Sequence, residues 1–171
     1  MNISEVSTAQ FVGELEFNLG SSQRLLNVKW ADNVDIQDNA GRVYLIVSDG
    51  EIMKIGGSQS KGGIKSTFAF YISANQGRPS IRSYGIMSLI ADQLKLGKDV
   101  TIHMITSEQI AAPVKGLFSQ SMCKVSAFKE MEHKCIEDYK TIAGDYPAWN
   151  FQEKGEAWSA EIQQQHANML K

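Results

Sequence analysis

The sequence has few of the residues on which specialised architectures depend. It holds 2 Cys, 3 Pro and 3 His in 171 residues. Its longest apolar stretches, such as residues 43–47, are far shorter than the roughly 20 residues that a membrane-spanning helix needs. Cys123 and Cys135 cannot make a disulfide framework, and the three scattered histidines do not complete a four-ligand zinc site with them. A disulfide scaffold, a membrane span and a structural zinc are thereby excluded.

The composition is that of an ordinary globular domain. Hydrophobic residues make up 43% of the chain and charged residues 21%, which is enough apolar surface to form one core at this length. The first residues, MNISEVSTAQ, lack the basic and then apolar segments of a signal peptide. We therefore expect a soluble intracellular protein with no membrane partner.

The distribution of charge is more informative than the net charge of −2. Residues 52–91 contain no Asp or Glu, although about one residue in nine of the whole chain is acidic. A region that is positive throughout is typical of a surface that faces phosphates, and the alternative is an ordinary solvated face. The cations in this region are Lys54, Lys61, Lys65, Arg78 and Arg82.

The clearest local pattern is a β-hairpin at residues 43–56. VYLIV is a β-branched and aromatic run, Asp49-Gly50 is a favoured two-residue turn, and EIMKI resumes the strand. Gly56-Gly57 is expected to end that strand, because consecutive glycines interrupt regular structure.

Other segments give weaker patterns. Residues 11–18 and 25–30 alternate closely enough to predict a short hairpin or N-terminal arm, and residues 64–72 fit either a short helix or an irregular strand. Beyond residue 79, helical spacing of apolar residues predicts helices, and alternation of apolar and polar residues predicts one strand. An extended aromatic segment should precede the C-terminal helix. The predicted elements are helix 80–96, strand 99–106, helix 126–142 and a terminal helix from about Ala157.

The order of these elements, with the residues at their critical points, resembles the GIY-YIG nuclease superfamily. Arg42-Val43-Tyr44 corresponds to the first motif, in which Gly-Ile has become Arg-Val. Lys54-Ile55-Gly56 corresponds to the second, in which Tyr has become Lys, as in restriction-type members. Glu132 fits the helical acid, because Cys135, Ile136 and Tyr139 follow at the spacing of the family's bulky residues. The last motif is Pro147-Ala148-Trp149-Asn150.

The resemblance covers roughly residues 42–151 and implies an α/β (α+β) fold, with a small antiparallel sheet flanked by helices. The chain then divides into an N-terminal arm or hairpin at 1–41, a nuclease core at 42–151 and a C-terminal tail helix at 152–171, all in one compact domain.

Two positions of the family pattern stay open. The family's arginine on the first helix corresponds either to Lys65, close behind the glycine loop, or to Arg82 on helix 80–96. An insertion before that arginine, as in some members, favours Arg82. The aromatic residue that follows by one helical turn corresponds to Tyr71, with Tyr84 as the second candidate.

The resemblance implies a DNA endonuclease that hydrolyses phosphodiester bonds. Glu132 would bind a single Mg²⁺ or Mn²⁺, since such hard cations keep several waters and need few protein carboxylates. Tyr44 would act on the attacking water as general base or relay, aided by the positive charge of Lys54. Arg82 or Lys65 would hold the scissile phosphate, and Asn150 would fasten the C-terminal segment or contact the site.

The implied partner is DNA, with phosphate contacts at Lys61, Lys65 and Arg78. A site-specific restriction-type or phage-encoded enzyme, in the cytoplasm of a bacterial cell or a phage-infected host, fits a single small domain better than a repair module. A homo-oligomer is left open. The alternatives are a protein of the same fold that binds nucleic acid without cutting it, and a protein-interaction domain that uses its aromatic tail.

Overall fold

The protein is built on a five-stranded antiparallel sheet in the order β2-β1-β5-β3-β4. The structure, a computed structural model, describes residues 1–20 and 23–171. The sheet strands are β1 (Gln10–Phe17), β2 (Leu26–Trp30), β3 (Arg42–Ser48), β4 (Glu51–Ser58) and β5 (Val100–Thr106). Two further strands, β6 (Gln109–Lys115) and β7 (Gln120–Ser126), pair only with each other among the described residues.

Helices cover both faces of the sheet, which confirms the predicted α+β class. They are α1 (Gly63–Ile72), α2 (Ile81–Lys95), α3 (Phe128–Ala143), α4 (Phe151–Lys154) and α5 (Ala160–Met169), after a single 3-10 turn at Ile3–Glu5. One core lies between the sheet and α1 and α2, and a second lies beneath α3. No helix in residues 1–20 and 23–171 is both long and apolar enough to cross a membrane.

Strand β3 separates these two cores and is buried along all seven residues. Its side chains alternate between the faces, so that Tyr44 and Ile46 enter the first core while Val43, Leu45 and Val47 enter the second. A run of β-branched and aromatic residues suits a strand that is covered on both faces.

The stronger sequence patterns are confirmed. Asp49 and Gly50 form the hairpin turn with positive φ at both positions, as a two-residue type I′ turn requires. Ser80 caps α2 by accepting a hydrogen bond from the backbone N–H of Ser83 at 3.1 Å. Residues 64–72, for which helix and strand were both open, lie in α1.

Three expectations are wrong in detail. Strand β4 does not end before Gly56-Gly57 but continues through both glycines to Ser58, because β3 pairs with it as far as Arg42. The aromatic segment after Pro147 is not extended throughout, since Phe151–Lys154 makes one helical turn that ends at Gly155 with a left-handed φ of 70°. The apolar spacing that predicts helix 126–142 also places Ile142 on its buried face, but the side chain is 64% exposed.

The N-terminal segment is part of the central sheet. β1 and β2 form the predicted antiparallel pair, and β1 also pairs with β5, where Leu15 lies opposite Val100. The division of the chain at residues 41 and 151 stays a prediction.

Candidate active site at a glycine-lined sheet edge

The candidate site lies where two glycines interrupt the side chains of edge strand β4. Gly56 lies opposite Tyr44 and Gly57 opposite Val43 in the β3–β4 register. A Cβ atom on Gly56 would overlap the hydroxyl of Tyr44, and one on Gly57 would overlap the carboxylate of Glu132. The two glycines therefore let a phenol from one face of the sheet and a carboxylate from the other approach the same edge.

Tyr44 and Tyr71 form a buried pair of phenols beside Gly56. Their hydroxyl oxygens are 2.7 Å apart, and both rings pack edge-on against Phe68. Tyr44 comes from β3 and Tyr71 from the last turn of α1, so the sheet and the first helix together position the pair. The structure thus brings together the two tyrosines that the sequence placed 27 residues apart.

The pKa of Tyr44 is raised, whereas the sequence analysis expected a nearby cation to favour its deprotonated form. Burial raises it well above the ordinary value, and the neighbouring Tyr71 raises it further. The cation that acts in the opposite direction is Arg82, whereas Lys54 was expected in that role. In the free protein the Tyr44 hydroxyl is therefore protonated at neutral pH.

Lys54 lies on the same side of the sheet as Tyr44 and is only 2% exposed. Burial and then the charge of Arg82 lower its pKa to about 8, while Glu153 and Glu132 act against that shift. Lys54 forms no ion pair or side-chain hydrogen bond within the described part of the chain. An ammonium group so placed has lost water without gaining a close counter-charge.

A small cavity joins Lys54 to Arg82 of α2 and Glu153 of α4. Aromatic side chains from the C-terminal segment form its outer wall, with the rings of Phe151 and Trp158 4.5 Å apart. Trp158 also packs on Gly85 of α2, where any Cβ would overlap its ring. The tail therefore packs beside both cations, of which Lys54 is buried and Arg82 half-buried.

Asn150 is fully buried and binds the backbone of the edge strand. Its amide oxygen accepts a hydrogen bond from Ile55 N–H, and its amide NH₂ donates one to Ile55 C=O, both at 2.9 Å. The backbone N–H of Trp149 donates to the carbonyl of Met53 at 2.8 Å. The Pro147–Asn150 segment thus fastens the tail to β4 and satisfies backbone groups that an edge strand leaves unpaired.

Glu132 is the carboxylate nearest the edge, on the second turn of α3 and against Gly57. No group of three or more His, Cys, Asp or Glu that could hold a metal ion occurs in residues 1–20 and 23–171. A half-exposed single carboxylate still fits Mg²⁺, which commonly keeps several waters and adds substrate phosphate oxygens.

The structure places the alternative residues in different surroundings. The charge of Arg82 acts on Tyr44, Tyr71 and Lys54, while Lys65 is exposed on α1 and acts on none of them. Tyr84 lies away from the tyrosine pair, because its hydroxyl donates to Gln165 of α5 at 3.3 Å.

The remaining predicted phosphate-binding cations are exposed. Lys61 lies in the β4–α1 loop, and Arg78 lies in the α1–α2 connection, where it lines a groove with Phe70 and Ser83.

One residue of the site region, Glu153, was not found from the sequence, and the burial of another, Arg42, was not expected. Glu153 comes within reach of Lys54 only because α4 turns back toward the sheet, although an acid three residues after Asn150 was a usable signal. Arg42 is 2% exposed and donates from Nη2 to the carbonyl of Asp38, while its Nη1 has no partner among the described residues. This buried arginine occupies the place of the motif's glycine and holds the loop before β3.

Comparison with known proteins shows the fold. No protein-family model matches the chain, and no curated protein matches its sequence. The restriction endonuclease HPY188I, solved in complex with product DNA, superposes with a TM-score of 0.53 at 21% identity, over 86% of this chain and 84% of that one. A mutant of bacteriophage T4 EndoII superposes with a TM-score of 0.57 at 17% identity, over 88% and 98% of the two chains. The chain shares its architecture with both proteins.

Replacing Lys54 by Met should stabilise the protein at neutral pH. Because the pKa of Lys54 falls from 10.5 to about 8 on folding, its burial opposes folding below pH 8 by about 3 kcal/mol. This penalty is relieved as pH rises from about 8 to 10.5, so wild-type stability should rise in that window relative to Lys54→Met. Urea unfolding at several pH values measures it, with exposed Lys65→Met as control. A Lys54→Met protein less stable than wild type at pH 7 would contradict it.

The two edge glycines should respond differently to alanine. Gly56→Ala forces a methyl group against the rigid, buried ring of Tyr44 and should cost about 1–3 kcal/mol. Gly57→Ala meets the end of the Glu132 side chain, which can swing toward solvent, so the unfolding free energy should change little. Chemical denaturation of both variants tests this, each serving as the other's control. Equal destabilisation would show that Glu132 is held as firmly as Tyr44.

Proposed function

We propose that the protein is a metal-dependent DNA endonuclease of the GIY-YIG type, acting as a restriction-type or phage-encoded enzyme. The observation that carries this proposal is the convergence of Tyr44 and Glu132 at the glycine-lined edge of β4, with Lys54 and Arg82 beside it. Its fold is shared with a restriction endonuclease and a phage protein named EndoII, which supports the same function without identifying its substrate.

The paired cations favour an anionic ligand. Lys54 and Arg82 lie close enough for the charge of Arg82 to lower the pKa of Lys54, and Glu153 offsets only part of their charge. A phosphate oxygen placed beside them would relieve this repulsion and raise the pKa of Lys54 again. Because Lys54 is buried, its attraction to a phosphoryl group is strengthened. Arg82 is the residue proposed to hold the scissile phosphate, since its fork can contact two oxygens.

The phenol pair would orient the attacking water. The Tyr44 hydroxyl is protonated in the free protein and is hydrogen-bonded to that of Tyr71. When Tyr71 is the donor of that bond, Tyr44 keeps its own hydrogen to donate to a water molecule and a lone pair to accept from it. Tyr44 can take a proton from that water only where positive charge lowers its pKa, and Arg82 is the cation of this chain that acts in that sense. The role proposed for Tyr71 is to hold the Tyr44 hydroxyl in place.

Glu132 is the residue proposed to hold the metal. A Mg²⁺ or Mn²⁺ ion there would supply positive charge for the phosphoryl and leaving oxygens. Asn150 would act as a positioning residue, because it holds the backbone of Ile55 between the catalytic Lys54 and Gly56.

The substrate surface would extend from this edge over the acid-free part of the chain. Lys61, Lys65 and Arg78 are exposed and would contact phosphates of duplex DNA. The enzyme would then act in the cytoplasm of a bacterial cell or a phage-infected host, and a homo-oligomer would let two sites cut two strands.

Replacing Glu132 by Gln should abolish most DNA cleavage while leaving DNA binding intact. The change removes the carboxylate charge that would hold the metal but keeps the shape beside Gly57. Plasmid cleavage in Mg²⁺ and filter binding in chelator measure the two properties, with Glu130→Gln on the same helix as matched control. Normal cleavage by Glu132→Gln would remove Glu132 from the mechanism and with it the proposed metal site.

Arg82→Ala should mainly lower the rate of cleavage, whereas Lys65→Ala should mainly weaken DNA binding. Arg82 acts on the buried site, so its loss should lower the single-turnover rate by about 100-fold or more. Lys65 is exposed outside the site, so its loss should weaken binding and reduce the slope of log affinity against log salt by roughly one. Single-turnover kinetics and binding at several salt concentrations separate the two. The opposite ranking of turnover rates would assign the phosphate-holding role to Lys65.

A further inference from the structure

The β6–β7 hairpin is a two-stranded ribbon that stands apart from the rest of the molecule. Its strands are seven residues each, which gives a length of about 23 Å. Neither strand has an extended contact with another helix or strand in the described part of the chain. Residues at nearly every position are exposed on both faces. An isolated two-stranded ribbon is marginally stable in water, so contact with a partner would stabilise it.

The tip of the ribbon presents two large apolar side chains. The turn is closed by a hydrogen bond from Gly116 N–H to Ser119 C=O at 2.7 Å. Between these residues Leu117 is 93% exposed and Phe118 is 98% exposed. Such residues at the end of a projecting ribbon form a wedge rather than part of a core.

The two faces of the ribbon differ, and neither carries an acid. On one face small and β-branched residues pair across the strands, such as Ile110 with Val125 and Ala112 with Cys123. The other face carries Lys124 opposite Ala111 and Lys115 opposite Gln120. Residues 109–126 contain no Asp or Glu, so Lys115 and Lys124 give the ribbon a net positive charge.

The base of the ribbon adjoins the candidate active site. Ser126 lies against Gly41, immediately before β3, and α3 with Glu132 begins two residues after the ribbon ends. On the other strand Gln109 lines a polar cavity together with Asn39, Gln59 and Lys61. The ribbon therefore projects from the same edge at which the phosphate would be cut.

We infer that the β6–β7 ribbon enters a groove of duplex DNA, with Lys115 and Lys124 on phosphates and Leu117-Phe118 wedged against the base stack. This inference rests on the proposed function. A groove of DNA admits a two-stranded ribbon, and apolar wedges at such positions unstack and bend the duplex. The positive charge of the ribbon favours DNA as its partner over a second copy of this chain. Although the net charge of the chain is −2, two identical ribbons that met each other would both be positive and would repel. The ribbon would thereby supply target contacts that the buried site lacks.

Cys123 provides a direct probe, because it is exposed on the ribbon while Cys135 is half-buried. The Glu132→Gln protein would be labelled with maleimide, with and without random-sequence duplex DNA, and Cys123→Ser would identify the signal. DNA should slow the labelling of Cys123 several-fold and leave that of Cys135 unchanged. Equal labelling with bound DNA would overturn the inference. If Cys123 were labelled slowly without DNA, and more slowly at higher protein concentration, the ribbon would bind a second copy of the chain. That result would also overturn the inference.

Ribbon variants give the second measurement. Changing both Leu117 and Phe118 to Ser should weaken binding about tenfold or more, whereas Leu96→Ser, at an exposed apolar position just after α2, should not. Changing both Lys115 and Lys124 to Gln should reduce the salt slope by roughly two, with Lys95→Gln as control. Unchanged binding by both ribbon variants, in a protein whose wild type cuts DNA, would overturn the inference and leave the proposed function standing. A wild type that neither binds nor cuts DNA would overturn both.

Discussion

The absence of side chains at Gly56 and Gly57 is the constraint on which the candidate site depends. The sheet separates a core built under α1 and α2 from one built under α3, so side chains on its two faces do not ordinarily meet. The glycines open the strand so that the Tyr44 hydroxyl and the Glu132 carboxylate share one edge. Asn150 then holds this weakened strand in place through both backbone groups of Ile55. The geometry of the site therefore depends on an edge strand that lacks side chains at two positions and is held by the hydrogen bonds of Asn150.

The burial of Lys54 has an electrostatic cost. Lys54 is nearly fully buried beside Arg82, with no close counter-ion in the described structure, and its pKa of about 8 records the penalty. A methionine would fill the same space without that penalty, so stability alone does not explain the lysine. Buried groups that oppose folding while facing a cavity are typical of functional sites. In this protein the tail residues Trp149, Phe151 and Trp158 line the cavity beside the buried Lys54.

Much of the fold could be predicted from the sequence, because its central elements have strong local patterns. The β3–β4 hairpin combines a β-branched run with Asp49-Gly50, and α2 has a serine cap at Ser80, so local chemistry agrees with the tertiary structure. The pairing of β1 with β5 could not be predicted, since nothing in residues 10–17 specifies a partner about ninety residues away.

The errors have physical causes as well. A Gly-Gly pair ordinarily ends a strand, but here β4 stays paired with β3 through both glycines. The close approach of Tyr44 and Glu132 explains why these two positions lack side chains. The β6–β7 ribbon escaped notice because both of its faces are exposed, which removes the alternation of apolar and polar residues that marks a half-buried strand. Glu153 was missed because its approach to Lys54 depends on the helical turn Phe151–Lys154, where the sequence predicted an extended segment.

The proposed function requires that this glycine-lined edge cuts DNA with the help of a divalent cation. The most direct measurement is incubation of the purified wild-type protein with supercoiled plasmid and phage DNA, in Mg²⁺, in Mn²⁺ and in chelator. We predict nicked and linear products with either cation and intact DNA with chelator. Intact DNA under all three conditions, from a folded protein that still binds the duplex, would contradict the catalytic role of the site and leave a protein that binds DNA without cutting it.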